Sequence, residues 1–287
     1  LGAIKRLGLF LLTNLLVVIT LTIIIEVLGI RLRDYAGLLA ICAVFGFVGS
    51  FISLLLSKTI ARWSYKIQLI DTGNASGRYL GLYQEIVKMS AHLGIRTPQV
   101  GIYPSNEVNA FATGASANSA LVAFSSAIVD RLDDAELAAV AGHELSHITN
   151  GDMVTMTLLT GVANTFVMFF ARLLASVIAN RDRDGNGLGY MGYYLIVILL
   201  ENILMLLAYI PISAFSRWRE YGADYGAAQL TGAMPMITAL QKIDRNYRPE
   251  TKKDSFAMAK IESRKRVSLF ATHPSIEARI TRLQKLL

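Results

Sequence analysis

Apolar residues in this chain gather in four long runs, and the runs are separated by two blocks in which polar and apolar positions alternate. The runs are Leu7–Ile30, Ala36–Leu56, Met153–Ala179 and Gly189–Phe215. Each reaches the roughly 20 helical residues that cross the hydrocarbon core of a bilayer. The turn RLRDY joins the first two runs into a helical hairpin, and NRDRDGNG (Asn180–Gly187) joins the last two into another. The first run is too long, and lacks the small-residue cleavage site, for a removable signal peptide. Glu26, Glu201 and Pro211 are costly or helix-bending in lipid, so they are expected to face other helices.

The block Ser57–Asp152 has a mixed pattern. Gly77–Leu93 carries apolar residues at helical spacing, while PQVGIY, VNAFATG and SALVAFS read as short strands bounded by Pro, Ser, Asn and Gly. DDAELAAVAGHELSHITNGD then predicts a helix with Asp133 as N-cap and Glu136 three residues on, a capping box, ending at Asn150-Gly151. The block Ser216–Leu287 looks mainly helical, with runs in YGADYGAAQL, MITALQKI and SIEARITRLQKLL.

Composition agrees with the runs: 53% hydrophobic, 17% charged and a mean hydropathy of +0.45 exclude an ordinary soluble protein. Lys and Arg flank the spans unevenly. Lys5, Arg6, Lys58, Arg62, Lys66, Arg217 and Arg219 lie on one side, against Arg31, Arg33, Arg181 and Arg183 on the other, which predicts that both termini and both polar blocks are cytoplasmic. The net charge of +7 is carried by residues 216–287, especially Lys252–Arg266. That stretch is expected to be a solvated surface or, next to membrane spans, a contact for anionic headgroups rather than for nucleic acid. The single cysteine, Cys42, lies in an apolar run, which excludes a disulfide framework and a cysteine zinc cluster. Any zinc site must therefore draw on His92, His143, His147 and His273 together with carboxylates.

AGHELSHITNGDM (Ala141–Met153) supplies half of such a site. Four residues advance a helix by about 400° and 6 Å, so His143 and His147 project from nearly one face and can share a zinc ion. Glu144 lies beside that face, where it can reach a water at the metal, as in HExxH peptidases. A shuffled chain of this composition would spell the pattern about once in seven hundred times, so chance is a poor account of it. A catalytic zinc needs a third protein ligand and an open fourth position. SRWREYGADYGAAQL (Ser216–Leu230) offers Glu220 as that ligand and Asp224 as acceptor for the other ring N–H of a ligating histidine. An acidic pair four apart is also what a solvated helix face looks like, and the HExxH stretch upstream turns the balance. Met153 opens the third run and Phe215 closes the fourth, so that hairpin returns His147 and Glu220 to one membrane surface.

HELSHITNGDMVTMTLL, VNAFATG, SRWREYGADYGAAQL and THPSIEARI resemble the bacterial HtpX family of membrane metallopeptidases, relatives of the zinc proteases that process CaaX-type prenylated proteins. The resemblance runs over essentially the whole chain. It implies a polytopic α-helical membrane protein with a gluzincin-like, mainly α zinc-protease domain carrying a small β-sheet. Residues 1–56 and 153–215 would be transmembrane hairpins, and 57–152 and 216–287 the two halves of a cytoplasmic protease domain. His143, His147 and Glu220 would bind one zinc ion (Zn2+), with Glu144 as the base that activates water there. His273 of the HP motif would sit near the site as an oxyanion donor, although a place before Pro274 at a helix start also accounts for it. Asn109 would lie beside an edge strand that pairs with substrate backbone. His92 is expected to be structural. The function implied is hydrolysis of polypeptides, above all misfolded or damaged membrane proteins, in the bacterial inner membrane under stress. Three alternatives stay open: prenyl-peptide processing, an intramembrane protease, and a noncatalytic zinc-binding scaffold. The predicted zinc helix is too polar for the second, and an intact Glu144 is unneeded by the third.

Overall fold

The computed structural model describes Ile23 and residues 35–179, 189–247 and 269–287. The first apolar run (except Ile23), the loop Asn180–Gly187 and the basic stretch Lys252–Arg266 lie outside the described residues. In chain order the elements are α1 (Tyr35–Ser64), β1 (Gln68–Ile70), α2 (Gly77–His92), β2 (Gln99–Tyr103), β3 (Ala110–Thr113), β4 (Leu121–Ser125), α3 (Ser126–Arg131), α4 (Asp134–Thr149), α5 (Asp152–Ala179), α6 (Gly189–Thr231), α7 (Ala233–Tyr247) and α8 (Ile276–Gln284). They divide into two compact units. One takes the chain up to Ile52 together with Thr157–Ile212; the other takes Ser53–Met156 and Ser213–Leu287.

Three helices, α1, α5 and α6, are long and apolar enough to cross a membrane. Two run on beyond the apolar runs that announce them. α1 continues from Leu56 to Ser64, and α6 continues from Phe215 to Thr231 without a break, carrying Pro211 within it. In the first unit large side chains such as Val48, Phe51, Phe166, Phe170, Leu199 and Leu206 face outward, as lipid-facing surfaces do. Close packing comes from Gly46, whose absent Cβ would collide with Thr165 and the Gly161 carbonyl. Glu201 does face another helix: it is buried against Arg172, whose Nη1 also reaches the Met168 carbonyl at 3.0 Å.

The second unit is built on a four-stranded sheet of order β1-β2-β4-β3, in which β2 and β4 are parallel and the outer pairs antiparallel. β4 is buried throughout, and its alternation feeds two cores. Val122 and Phe124 join Ile86, Leu137 and Val140 of the covering helices, while Leu121 and Ala123 pack with Ile67 and Tyr103 on the other face. α4 begins at the capping box that its sequence predicts. Asp133 Oδ1 accepts from the Glu136 N–H at 2.9 Å, and Glu136 Oε2 accepts from the Asp133 N–H at 2.9 Å. The helix is buried on nearly every side because Ala139, Ala141 and Gly142 let neighbours approach closely.

Candidate active site

The buried end of α4 carries the chemistry. His143 and His147 rise from one face, with their Nε2 atoms 3.2 Å apart. Glu220 enters from α6, its Oε2 3.5 Å from His143 Nε2 and its Oε1 3.4 Å from His147 Nε2. The approach of the two helices depends on Gly226, where a Cβ would run into Ser146. One turn beyond Glu220, Asp224 Oδ1 lies 3.0 Å from His143 Nδ1. Gly151, at φ +67°, takes the left-handed turn that ends α4, and the chain re-enters a helix at Asp152. Asp152 Oδ2 thereby lies 2.6 Å from His147 Nδ1.

Arg279 of α8 closes the cluster. Its Nη2 and Nε donate to the two oxygens of Asp224 at 2.6 and 2.8 Å, and its Nη1 lies 3.6 Å from Glu220 Oε2. α8 is held to α6 by the Arg282 guanidinium stacked 3.7 Å over the Tyr221 ring. The segment before it is held by Arg217, whose Nη1 donates to the Ala271 carbonyl at 2.6 Å. That places His273 Nδ1 at 3.0 Å from Glu220 Oε2, with most of its side chain open to solvent. Ser275 N-caps α8, so His273 also stands at a helix start.

His143, Glu144, Glu220, His273, Arg279 and Asn109 line one cavity of about 380 Å³. Asn109 is fixed by Ser125: its N–H donates to Ser125 Oγ at 3.2 Å, and its carbonyl accepts from the Ser125 N–H at 2.9 Å. It leads into β3, which among the described residues pairs on one side only, with β4. His92 ends α2 and is not among the residues lining this cavity.

The donor set suits a divalent metal ion. Two bonds of about 2.0–2.1 Å at a tetrahedral angle place donors about 3.3 Å apart; the two Nε2 atoms are 3.2 Å apart, each lies 3.4–3.5 Å from one of the two Glu220 oxygens, and one donor atom from each residue falls within 4.8 Å of the others. With each Nδ1 turned to a carboxylate, the two Nε2 lone pairs face one another, an arrangement that needs a cation or a proton between them. Glu220 Oε1 is buried with no hydrogen bond. Glu144, Asp152, Glu220 and Asp224 outnumber the positive charge of Arg279, so a dication would offset much of the excess negative charge of the cluster. Without a metal, protons take that role. Burial disfavours charge on His147, but Asp152 and Glu220 outweigh it and push it up to about 9. His143 is raised as well, burial being overcome by Asp224 and Glu220.

The profile of peptidase family M48 matches residues 79–287. The chain belongs to peptidase family M48. Its M48 relatives include Protease HtpX of Aeromonas hydrophila, 44% identical over 98% of this chain and 99% of that protein. Protease HtpX homolog of Neisseria meningitidis serogroup C is 45% identical over 98% of this chain and 100% of that one. The fold is similar to the crystal structure of S. mikatae Ste24p, with a TM-score of 0.67 at 19% identity, covering 98% of this chain and 65% of that one. This M48 chain is therefore a membrane metallopeptidase, acting on polypeptides, with a His-His-Glu cluster suited to a metal ion.

Two residues of the cluster escaped the sequence. Asp152 sits just beyond a helix end, where an acid is usually read as a favourable first-turn charge. Arg279 lies in an ordinary amphipathic helix, and only its spacing of six residues from His273 ties it to the HP motif.

Proposed function

We propose that this metallopeptidase is a zinc endopeptidase that cuts misfolded or damaged membrane proteins at the cytoplasmic face of a bacterial inner membrane. The observation that carries the reading is the triangle of His143, His147 and Glu220, with Glu144 beside it in the same cavity. Two imidazoles with one carboxylate are a zinc donor set, since thiolates are absent from the cluster and hard cations favour all-oxygen sites. When bound, the ion would supply Lewis acidity to the scissile carbonyl and acidify a water molecule. Glu144 takes the proton of the attacking water and passes it to the leaving amine. Asp152 and Asp224 hold the two imidazoles in the tautomer that presents Nε2 inward. His273 lies with Nδ1 3.0 Å from Glu220 Oε2, and in its imidazolium form it would keep that contact while its Nε2–H donates to the oxyanion. The outer edge of β3, entered from Asn109, pairs with an extended substrate backbone, which suits an enzyme that must accept many sequences. A role in quality control under stress follows from such tolerance, and the uneven distribution of Lys and Arg supports the cytoplasmic placement.

The test compares wild type with Glu144→Gln, purified in detergent at equal zinc content, on a denatured membrane protein. Cleavage by wild type alone, abolished by chelation, is the expected result. Equal cleavage by both proteins would remove Glu144 from the mechanism.

A further inference from the structure

α1 does not stop where its apolar run stops. It continues from Leu56 to Ser64, and the continuation carries cations without anions: from Tyr35 to Ile70 the chain holds Lys58, Arg62 and Lys66 and no carboxylate. Arg62 and Lys66 are exposed and Lys58 is half-buried. Among the described residues, none of the three makes an ion pair or hydrogen bond through its side chain. Leu56, Ile60 and Trp63 recur at i, i+4, i+7 along one exposed face, and Trp63 is 83% exposed. A helix passing through a headgroup layer has this character, with an indole at the interface and cations among the phosphates. At 1.5 Å per residue Lys58 and Arg62 stand about 3 and 9 Å beyond Leu56, and the headgroup layer on each side of a bilayer is about 5–8 Å deep. The long stems of both residues let their charges reach it.

The end of this helix is tied to the strand proposed to take substrate. Lys66 adopts φ +52°, and the Ile67 N–H closes on the Arg62 carbonyl at 3.0 Å. The closed turn presents the Tyr65 ring 5.4 Å from that of Phe111 on β3 and 5.3 Å from that of Tyr103. The Tyr103 hydroxyl in turn lies 3.4 Å from the Asn109 carbonyl. Ala61, one turn before Tyr65, packs on the same face of the sheet.

We propose that Lys58, Arg62 and Lys66, with Trp63 among them, form a seat for the headgroups of anionic phospholipids, and that Tyr65 passes this anchorage to β3. The substrate edge is thereby held at the level of the bilayer surface. Unpaired cations so closely spaced favour acidic headgroups over zwitterionic ones, which bring no net charge to offset them. The seat goes beyond the peptidase reading and is measured without turnover; its consequence for cleavage rests on that reading. An edge held there meets a chain as it leaves the membrane, so the seat serves a bilayer-anchored substrate and not a free peptide.

The chain has two tryptophans, Trp63 and Trp218, and Trp218 is exposed, so Trp218→Phe leaves Trp63 as the reporter. The full chain is reconstituted in vesicles of equal phosphatidylcholine and phosphatidylglycerol, with bromine on the acyl chains of one lipid or the other. Brominated phosphatidylglycerol is expected to quench Trp63 more strongly, by about twofold or more, and the excess should fall as salt is raised. Lys58→Gln, Arg62→Gln and Lys66→Gln together should abolish the excess while zinc content and cleavage of a free peptide stay unchanged. On a peptide anchored to the same vesicles, that triple variant should raise KM severalfold and keep kcat. Tyr65→Ala should keep the lipid preference and raise the same KM. Equal quenching by the two lipids, or a preference that survives the triple change, would overturn the seat. A Trp63 response to polyglutamate in place of anionic lipid would assign the surface to an acidic polypeptide and overturn it too. A KM for the anchored peptide unmoved by these changes would overturn the link to β3. Absence of Glu144-dependent cleavage of either peptide would bring down the endopeptidase reading, while the quenching would still decide the seat.

Discussion

Asp152 Oδ2 lies 2.6 Å from His147 Nδ1, with both side chains buried. The carboxylate fixes the ring, keeps the proton on Nδ1 and leaves Nε2 as donor to a metal. Asp152→Ala is expected to weaken zinc binding by about 10–100-fold, measured by competition with a chromophoric chelator. Unchanged affinity would mean that the backbone alone orients His147.

Arg279 makes the corresponding support on the other histidine, one step removed. Its fork holds both oxygens of Asp224, which in turn meets His143. Arg279→Ala strands a buried carboxylate, and breaking such a pair costs about 3–5 kcal/mol. Thermal unfolding of the metal-free protein should show that loss. Arg279→Lys, which keeps the charge and loses the fork, should fall between the two.

The metal-free site carries a pH dependence of definite sign. His147 is raised to about 9 in the folded chain, against an ordinary value of 6.5. The stability it contributes is complete below about pH 6.5 and is lost as pH rises through 9. The melting temperature of chelated protein should therefore decline over that window. Zinc affinity should rise across the same window, because the metal displaces the proton. A melting temperature flat from pH 6.5 to 9 in chelated protein would contradict the coupling of His147 to Asp152 and Glu220.

Gly226 tests the helix crossing that delivers Glu220. A methyl group there would meet Ser146 on α4. Gly226→Ala should destabilise by about 1–3 kcal/mol through overpacking and lower zinc occupancy. The added Ser146→Ala change should recover part of both losses, read by denaturant unfolding and metal analysis.

Much of the site was legible because it is written in helical spacing. Four residues separate His143 from His147 and Glu220 from Asp224, and that interval alone puts each pair on one face. The start of α4 was legible for a similar reason, since Asp133 and Glu136 satisfy each other locally. Features set by tertiary packing were not. Arg279 and Asp152 become partners of the cluster only through the docking of α8 and the turn at Gly151. β1 is three residues long, Gln68–Ile70, and shows no pattern without β2 beside it. The switch from apolar to polar after Phe215 marks a change of environment, but α6 continues through it: Ser216–Glu220 has neither proline nor glycine to stop a helix.

The most direct measurement is the zinc content of the purified full chain, taken side by side for wild type, Glu220→Ala and Glu144→Gln. The arrangement of His143, His147 and Glu220 calls for one ion per chain in wild type and in Glu144→Gln, and for its loss in Glu220→Ala. Full zinc in Glu220→Ala, or none in Glu144→Gln, would contradict it.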